Sequence, residues 1–298
     1  MPARPAGLAV PADDATADYS YDRLKDRFFD RLLFTMNPGW ADLWASDGTP
    51  EGTTAIANLY MNGSASVLDG ILYLGARGHD TGGTELWRSN GTADGTFLLR
   101  DIRPGDDAES GMAASSDPRG MVAMDGRLYF SARTDETGRE LWSSDGTAAG
   151  TVLVRDIDST GDGSPERLTP VGDVLYLTAR DDTGGRELWR SDGTPETTRM
   201  IWDSVPGPQG SNPRFLTVVN GAVYYQGYDP AHGEELWRSY GTAAGTVTWT
   251  APQKERSSTA QPSSLTTTPS MRRISILPIS IHHQHHVQRA RAVDSFDA

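Results

Sequence analysis

At 298 residues, with 40 acidic against 27 basic side chains and a net charge of −13, the chain is long enough to bury a full core. The same charge repels duplex nucleic acid and anionic membrane surfaces at long range. The absence of cysteine excludes a disulfide framework, a thiolate zinc site and a thiol nucleophile, and no apolar run is long enough to span a bilayer, so neither nucleic acid nor membrane insertion is expected.

Residues 1–18 are rich in Ala, Pro and Asp without periodicity and read as a disordered lead-in with no signal-peptide core. From Tyr19 a unit of four strand-like runs begins. It is written five times, over about 19–60, 61–103, 104–158, 159–204 and 205–251. The first copy is the most degenerate, with Asp42 where the others carry Glu and its own Asn37-Pro38-Gly39 turn. The second predicts strands over 66–68, 71–76, 85–89 and 96–102, the third over 121–124, 128–132, 140–143 and 151–157. The fourth predicts 168–171, 174–179, 187–190 and 199–202, and the fifth 215–219, 222–226, 235–238 and 247–250. Asp-Gly and Asn-Gly turns fall between the runs, where Gly supplies positive φ and Asp or Asn accepts local N–H groups.

One tryptophan marks each unit, Trp44, Trp87, Trp142, Trp189 and Trp237, at intervals of 43, 55, 47 and 48 residues. The long interval has a local cause: Ile102 to Pro118 spans 16 residues where Ile157 to Pro165 spans 8. Pro118, Pro165 and Pro213 each stand just before a unit's first strand, where a missing N–H limits pairing. Four short strands recurring at this period predict an all-β fold, a β-propeller of about five four-stranded units. Its ring is permitted by the number of units but not enforced by it.

After Thr250 the pattern stops. Residues 252–298 are rich in Ser, Thr, Pro and His, and no glycine follows Gly245; the charge after Thr250 is +3, against −16 up to that point. This stretch reads as a disordered or out-of-frame tail, whose His282, His283, His285 and His286 have the composition of a chelating peptide.

The block Glu-Leu-Trp-x-Ser-Asp-Gly-Thr-x-x-Gly-Thr at 140–151, with small departures at Glu85, Glu187 and Glu235, resembles the bacterial ELWxxDGT repeat over about 19–250. Asn90 and Tyr240 replace the motif's Asp, and Glu196-Thr197-Thr198 stands where its second Gly-Thr belongs. The resemblance implies tandem propeller-like repeats on an exported or surface-associated bacterial protein, extracellular or at the cell surface. It implies no catalytic residue.

The repeated Trp residues are expected as core between blades, each stabilising by a few kcal/mol. Glu85, Glu140 and Glu187 follow Arg77, Arg133 and Arg180 by 8, 7 and 7 residues, which predicts structural ion pairs across a hairpin rather than a ring of catalytic acids. Calcium is the only cofactor suggested. Asp156, Asp158, Thr160 and Asp162 place oxygens at alternate positions as in an EF-type loop, although Arg167 occupies the position of the bidentate carboxylate. The expected function is a non-catalytic binding module whose rim loops contact a glycan or protein. The alternatives are a non-functional fragment of a longer repeat protein, or a carbohydrate-active enzyme with funnel acids drawn from the blade-specific Glu166, Asp173 and Asp203.

Overall fold

A computed structural model describes residues 27–28, 31–36, 41–79 and 82–249. The lead-in, the Asn37-Pro38-Gly39 turn, the tail from 252 and its four histidines lie outside these residues, as does the side chain of Asp42. Every regular element described is a strand. The first two units comprise β1 (Arg27–Phe28), β2 (Arg31–Met36), β3 (Ala41–Ser46), β4 (Thr54–Leu68), β5 (Ile71–Gly78), β6 (Glu85–Ser89) and β7 (Phe97–Arg100). The third comprises β8 (Arg119–Met124), β9 (Arg127–Thr134), β10 (Gly138–Ser144) and β11 (Val152–Arg155); the fourth, β12 (Glu166–Val171), β13 (Val174–Ala179), β14 (Glu187–Ser191) and β15 (Arg199–Trp202). The fifth comprises β16 (Arg214–Val219), β17 (Ala222–Asp229), β18 (Gly233–Ser239) and β19 (Thr246–Thr248).

Units three to five are separate antiparallel four-stranded meanders, whereas units one and two share a single seven-stranded sheet. The sequence predicts two strands over 53–59 and 66–68. The structure instead runs one strand of 15 residues, β4, which pairs with β3 at its start and with β5 at its end. The reason is local. The other junctions carry a proline before the incoming strand, but Asn62-Gly63-Ser64 only bulges the ladder between Met61 and Ala65, and a bulge bends a strand without ending it.

Successive units stack face to face with their first strands side by side, in the order β4, β8, β12, β16. This is the blade arrangement of a β-propeller; among the described residues the series is open, not a closed ring. Strand alternation explains the stacking. Neighbouring residues of a strand point to opposite faces, so the Leu and Trp of one motif enter two different interfaces. Leu86 packs with Phe130 and Trp142 of the third unit, while Trp87 packs with Leu33, Leu43 and Leu59 of the first. Leu141 joins Leu177 and Trp189, and Leu188 joins Tyr225 and Trp237. Trp87, Trp189 and Trp237 are buried, and Trp142 and Trp44 half-buried.

The rest of the motif closes its own loop. Thr151 Oγ1 donates to the Thr147 carbonyl at 2.7 Å, which leaves Ser144 Oγ to donate to Thr151 Oγ1 at 2.7 Å and to accept from Gly146 N at 3.1 Å. Asp145 Oδ1 accepts from both the Thr147 N–H and its hydroxyl, at 2.9 and 2.7 Å. Asn90 accepts the same pair from Thr92. In the fourth unit Thr198 keeps the last Thr position, bonded to Ser191 at 2.7 Å, so only the motif's second glycine is lost; Thr197 fills that place and its hydroxyl engages Asp192.

Gly146 is fixed by two constraints at once. Its φ is +88°, and a Cβ there would fall on the Tyr73 hydroxyl of the preceding blade. Gly126, at φ +67°, faces open space. Gly126→Ala is therefore expected to cost only the left-handed backbone penalty of about 1–2 kcal/mol, and Gly146→Ala clearly more. Tyr73→Phe should narrow the gap between them in urea unfolding. Trp142→Ala should cost about 3–5 kcal/mol through lost burial and cavity formation; a smaller loss would deny it a core role.

Candidate functional site

Three of the motif glutamates, Glu85, Glu140 and Glu187, are the most buried acids among the described residues, and each holds the passage from one blade to the next; Glu235 of the fifth unit is half-buried. Glu85 accepts from Ile102 N at 2.8 Å, where its own unit ends. It also accepts from Ser116 N at 2.7 Å and Ser116 Oγ at 2.6 Å, where the next unit begins. Glu140 accepts from Ile157 N and Gly163 N at 2.8 and 2.7 Å. Glu187 accepts from Ser204 Oγ, Ser211 N and Ser211 Oγ at 2.9, 2.7 and 2.5 Å. The extra residues of the long interval thus form a loop whose two ends are tied to one carboxylate. That loop is braced by Arg103, which bonds Asp107 and Asp135 at 2.8 and 2.7 Å.

The ion pairs expected for these glutamates are corrected by the register. Ala76, Ala132 and Ala179 stand opposite Glu85, Glu140 and Glu187. Each expected Arg lies one residue further on, and in a pleated strand one residue is the other face. Arg133 is exposed opposite Arg139, Arg180 is exposed, and the Arg77 guanidinium lies 5.2 Å from the Tyr60 ring centroid. The guanidinium groups that do reach inward are those before the motif Glu. Arg139 donates to the Asp117 carbonyl at 2.8 Å and pairs with its carboxylate at 3.1 Å. Arg186 donates to the Ser164 and Thr178 carbonyls at 2.8 and 3.1 Å and approaches Glu166 at 3.6 Å.

These arginines secure the starts of the first strands, where the exposed chemistry of the fold gathers. The first strands of units two to five each carry a bulge, between Met61 and Ala65, Arg119 and Val122, Glu166 and Thr169, and Arg214 and Thr217. The bulges adjoin one another: Asn62 Nδ2 donates to Asp117 Oδ1 and the Pro118 carbonyl at 2.8 and 2.9 Å, and Met121 N to Ser64 Oγ at 3.4 Å. The residue in the left-handed region is Gly63 or Gly120 in two units, at φ +82° and +64°, but Arg167 and Phe215 in the others, at φ 54° and 57°. Arg119, Glu166, Arg167, Arg214 and Phe215 are all exposed there, Phe215 to 65%. Arg119 pairs with Asp117 at 2.5 Å and Arg167 with Glu166 at 2.8 Å.

The blade-specific acids do not meet. Glu166 opens β12, Asp173 sits in the hairpin at its far end, and Asp203 follows β15 at the other edge of the sheet. In the suggested calcium loop, Asp158 Oδ1 accepts from the Thr160 N–H and hydroxyl at 3.1 and 2.8 Å, and Asp162 Oδ1 accepts from Arg139 N at 2.7 Å. Asp156 is raised by burial and by the charges of Asp182 and Asp158. Among the described residues no group of three or more His, Asp or Glu is arranged to hold a metal ion.

No protein-family model matches the sequence, and no curated protein does. Among solved structures, a puromycin hydrolase is similar over 73% of this chain and 34% of its own, at 13% identity and a TM-score of 0.46. A prolyl endopeptidase is similar over 74% and 33%, at 14% identity and 0.45, and TolB from Acinetobacter baumannii over 73% and 50%, at 11% and 0.42. The chain thus spans between a third and a half of the length of these proteins, and no residue role is carried across from them.

Burial pushes the Glu140 carboxyl up from 4.5 to about 7, against two N–H donors that favour its charged form. Glu85 and Glu187 move up for the same reason, opposed by Ser116 and Ser211. A carboxyl raised on folding keeps its proton preferentially in the folded state, so its contribution is full below the unfolded value and is lost as pH rises through the folded one. For Glu140 this amounts to about 3 kcal/mol. The turn acids Asp47, Asp145 and Asp192 are lowered by their Thr hydrogen bonds and titrate below that window. The urea midpoint should therefore fall from about pH 5 to about pH 8, and Glu140→Gln should flatten part of that slope. An unchanged slope in the variant would remove Glu140 as its source.

Proposed function

We propose that this chain is a non-catalytic binding module of an exported or surface-associated bacterial protein, with the bulged starts of its first strands as the ligand face. One observation carries the reading. Glycine serves at the bulge in two units, yet two others hold Arg167 and Phe215 in a backbone conformation that costs a non-glycine residue of order 1–3 kcal/mol. A side chain kept at that cost, and exposed, is retained for what it contacts.

The ligand we propose is a glycan bearing carboxylates. The exposed Phe215 ring offers a stacking surface for a sugar face, and Arg119, Arg167 and Arg214 offer donors in forks that match carboxylate geometry. An acidic protein segment uses the same donors but has less need of the ring. The buried glutamates support a non-catalytic role, because their oxygens are taken up by backbone N–H groups and serine hydroxyls of the blade junctions.

Titration calorimetry with oligogalacturonate, its reduced neutral analogue and poly-glutamate tests this reading. Phe215→Gly and Arg167→Gly copy what the second and third units already carry, so stability should hold or rise slightly, while affinity for oligogalacturonate falls about tenfold or more. Unchanged binding in both variants would overturn the assignment of the face. Release of new reducing ends by the wild-type chain would overturn the non-catalytic reading.

A further inference from the structure

The four blade interfaces give a rule for what each face of a unit requires, and both ends of the series break it. On the incoming face, toward the preceding unit, the triads Leu72/Leu74/Trp87, Leu175/Leu177/Trp189 and Val223/Tyr225/Trp237 are buried, and Leu128/Phe130/Trp142 is buried but for part of its indole. The same positions in the first unit are Leu32, Phe34 and Trp44. Leu32 is 43% exposed, and Phe34 and Trp44 are half-buried and stacked on each other at 6.5 Å. On the outgoing face, Leu68/Tyr73/Leu86/Leu99 and Met124/Tyr129/Leu141/Val154 are buried, as are Tyr176, Leu188 and Ile201. The fifth unit presents Val219, 45% exposed, Leu236, 38% exposed, and the half-buried Tyr224 and Trp249. Trp249 takes the place of Leu99, Val154 and Ile201 and meets Tyr224 edge-on at 5.7 Å, which covers part of the face and leaves Leu236 open.

We propose that these two faces bind each other between copies of this chain, the first unit of one copy seated head to tail on the fifth unit of the next. The occupant follows from continuity with the interfaces already present: an incoming triad of Leu or Val, Leu or an aromatic residue, and Trp covers the outgoing motif Leu at every junction inside the chain, joined by an outgoing Tyr at three of the four. The contact is heterologous, with different patches on the two partners, so it does not stop at a dimer; it continues into a larger ring or an open string of copies. The net charge of −13 opposes close approach of copies, so salt should strengthen the association.

Sedimentation of the full chain from micromolar to millimolar concentration, at low and moderate salt, tests the proposal. The weight-average mass should rise past that of a dimer and rise further with salt. Leu236→Glu blocks one face and Phe34→Glu the other, and each alone should give monomers. Their equimolar mixture retains one compatible pair of faces and should stop at a dimer. Leu236 is already partly exposed, so Leu236→Glu should fold; circular dichroism and a melt check this, and Val219→Asp serves as a second block of the same face. Monomer at every concentration would overturn the proposal, since the faces would then be closed on one another within one chain or covered by another of its segments. Association that survives either variant alone would equally overturn it, because only a symmetric contact leaves one of the two faces unused.

Discussion

Leu141 and Trp142 are consecutive residues of one strand, yet they belong to different cores: the leucine packs on the blade that follows and the indole on the blade that precedes. Because strand alternation is fixed by backbone geometry, a Leu-Trp pair on the third strand of every unit gives each unit two apolar faces to cover. Loop closure, junction tethering and bulge placement all depend on that spacing. A unit with one apolar face could stop after two layers; a unit with two cannot, and the stacking of successive units follows from it.

Polar chemistry in the motif is spent on geometry. Ser, Asp and both Thr residues satisfy the backbone of their own loop, and the glutamate gathers the N–H groups of a junction that runs outside any ladder. A buried carboxyl in that setting supplies acceptors to N–H groups that lie outside any ladder, and a buried N–H left unmet costs about 1–3 kcal/mol. This is why an acid of catalytic aspect recurs at Glu85, Glu140 and Glu187 in like surroundings, the reverse of what two-carboxylate chemistry requires.

Strand positions, turn residues and the tryptophan ladder were legible because periodicity, Asp-Gly chemistry and spacing act over a few residues. The partner of the motif glutamate was not. Counting residues across a hairpin leaves the register uncertain by one, and one residue exchanges the faces, so Arg133 and Arg180 stood in for the backbone groups that Glu140 and Glu187 hold. Arg139 and Arg186, immediately before the motif Glu, carried the better signal: an Arg directly beside a buried Glu must reach the opposite face. The bulges were hidden more deeply. Gly63 and Gly120 give a trace of them, but Arg167 and Phe215 carry no local sign of a left-handed backbone. The proline-preceding Asp117, Ser164 and Asn212, all with positive φ, were the nearest available marker.

The unbroken strand β4 has a consequence for how the molecule comes apart. In stacked arrays, stability divides into the strength of each unit and the strength of each junction, and the weakest junction decides where the array opens. Four of the five units meet a neighbour through side chains and a tethered linker. The first and second are also joined by a continuous ladder of main-chain hydrogen bonds, from β3 through β4 to β5. They are therefore expected to exchange amide hydrogens and melt as a single cooperative block about twice the size of the others, the anchor from which the remaining blades should fray, beginning with the fifth.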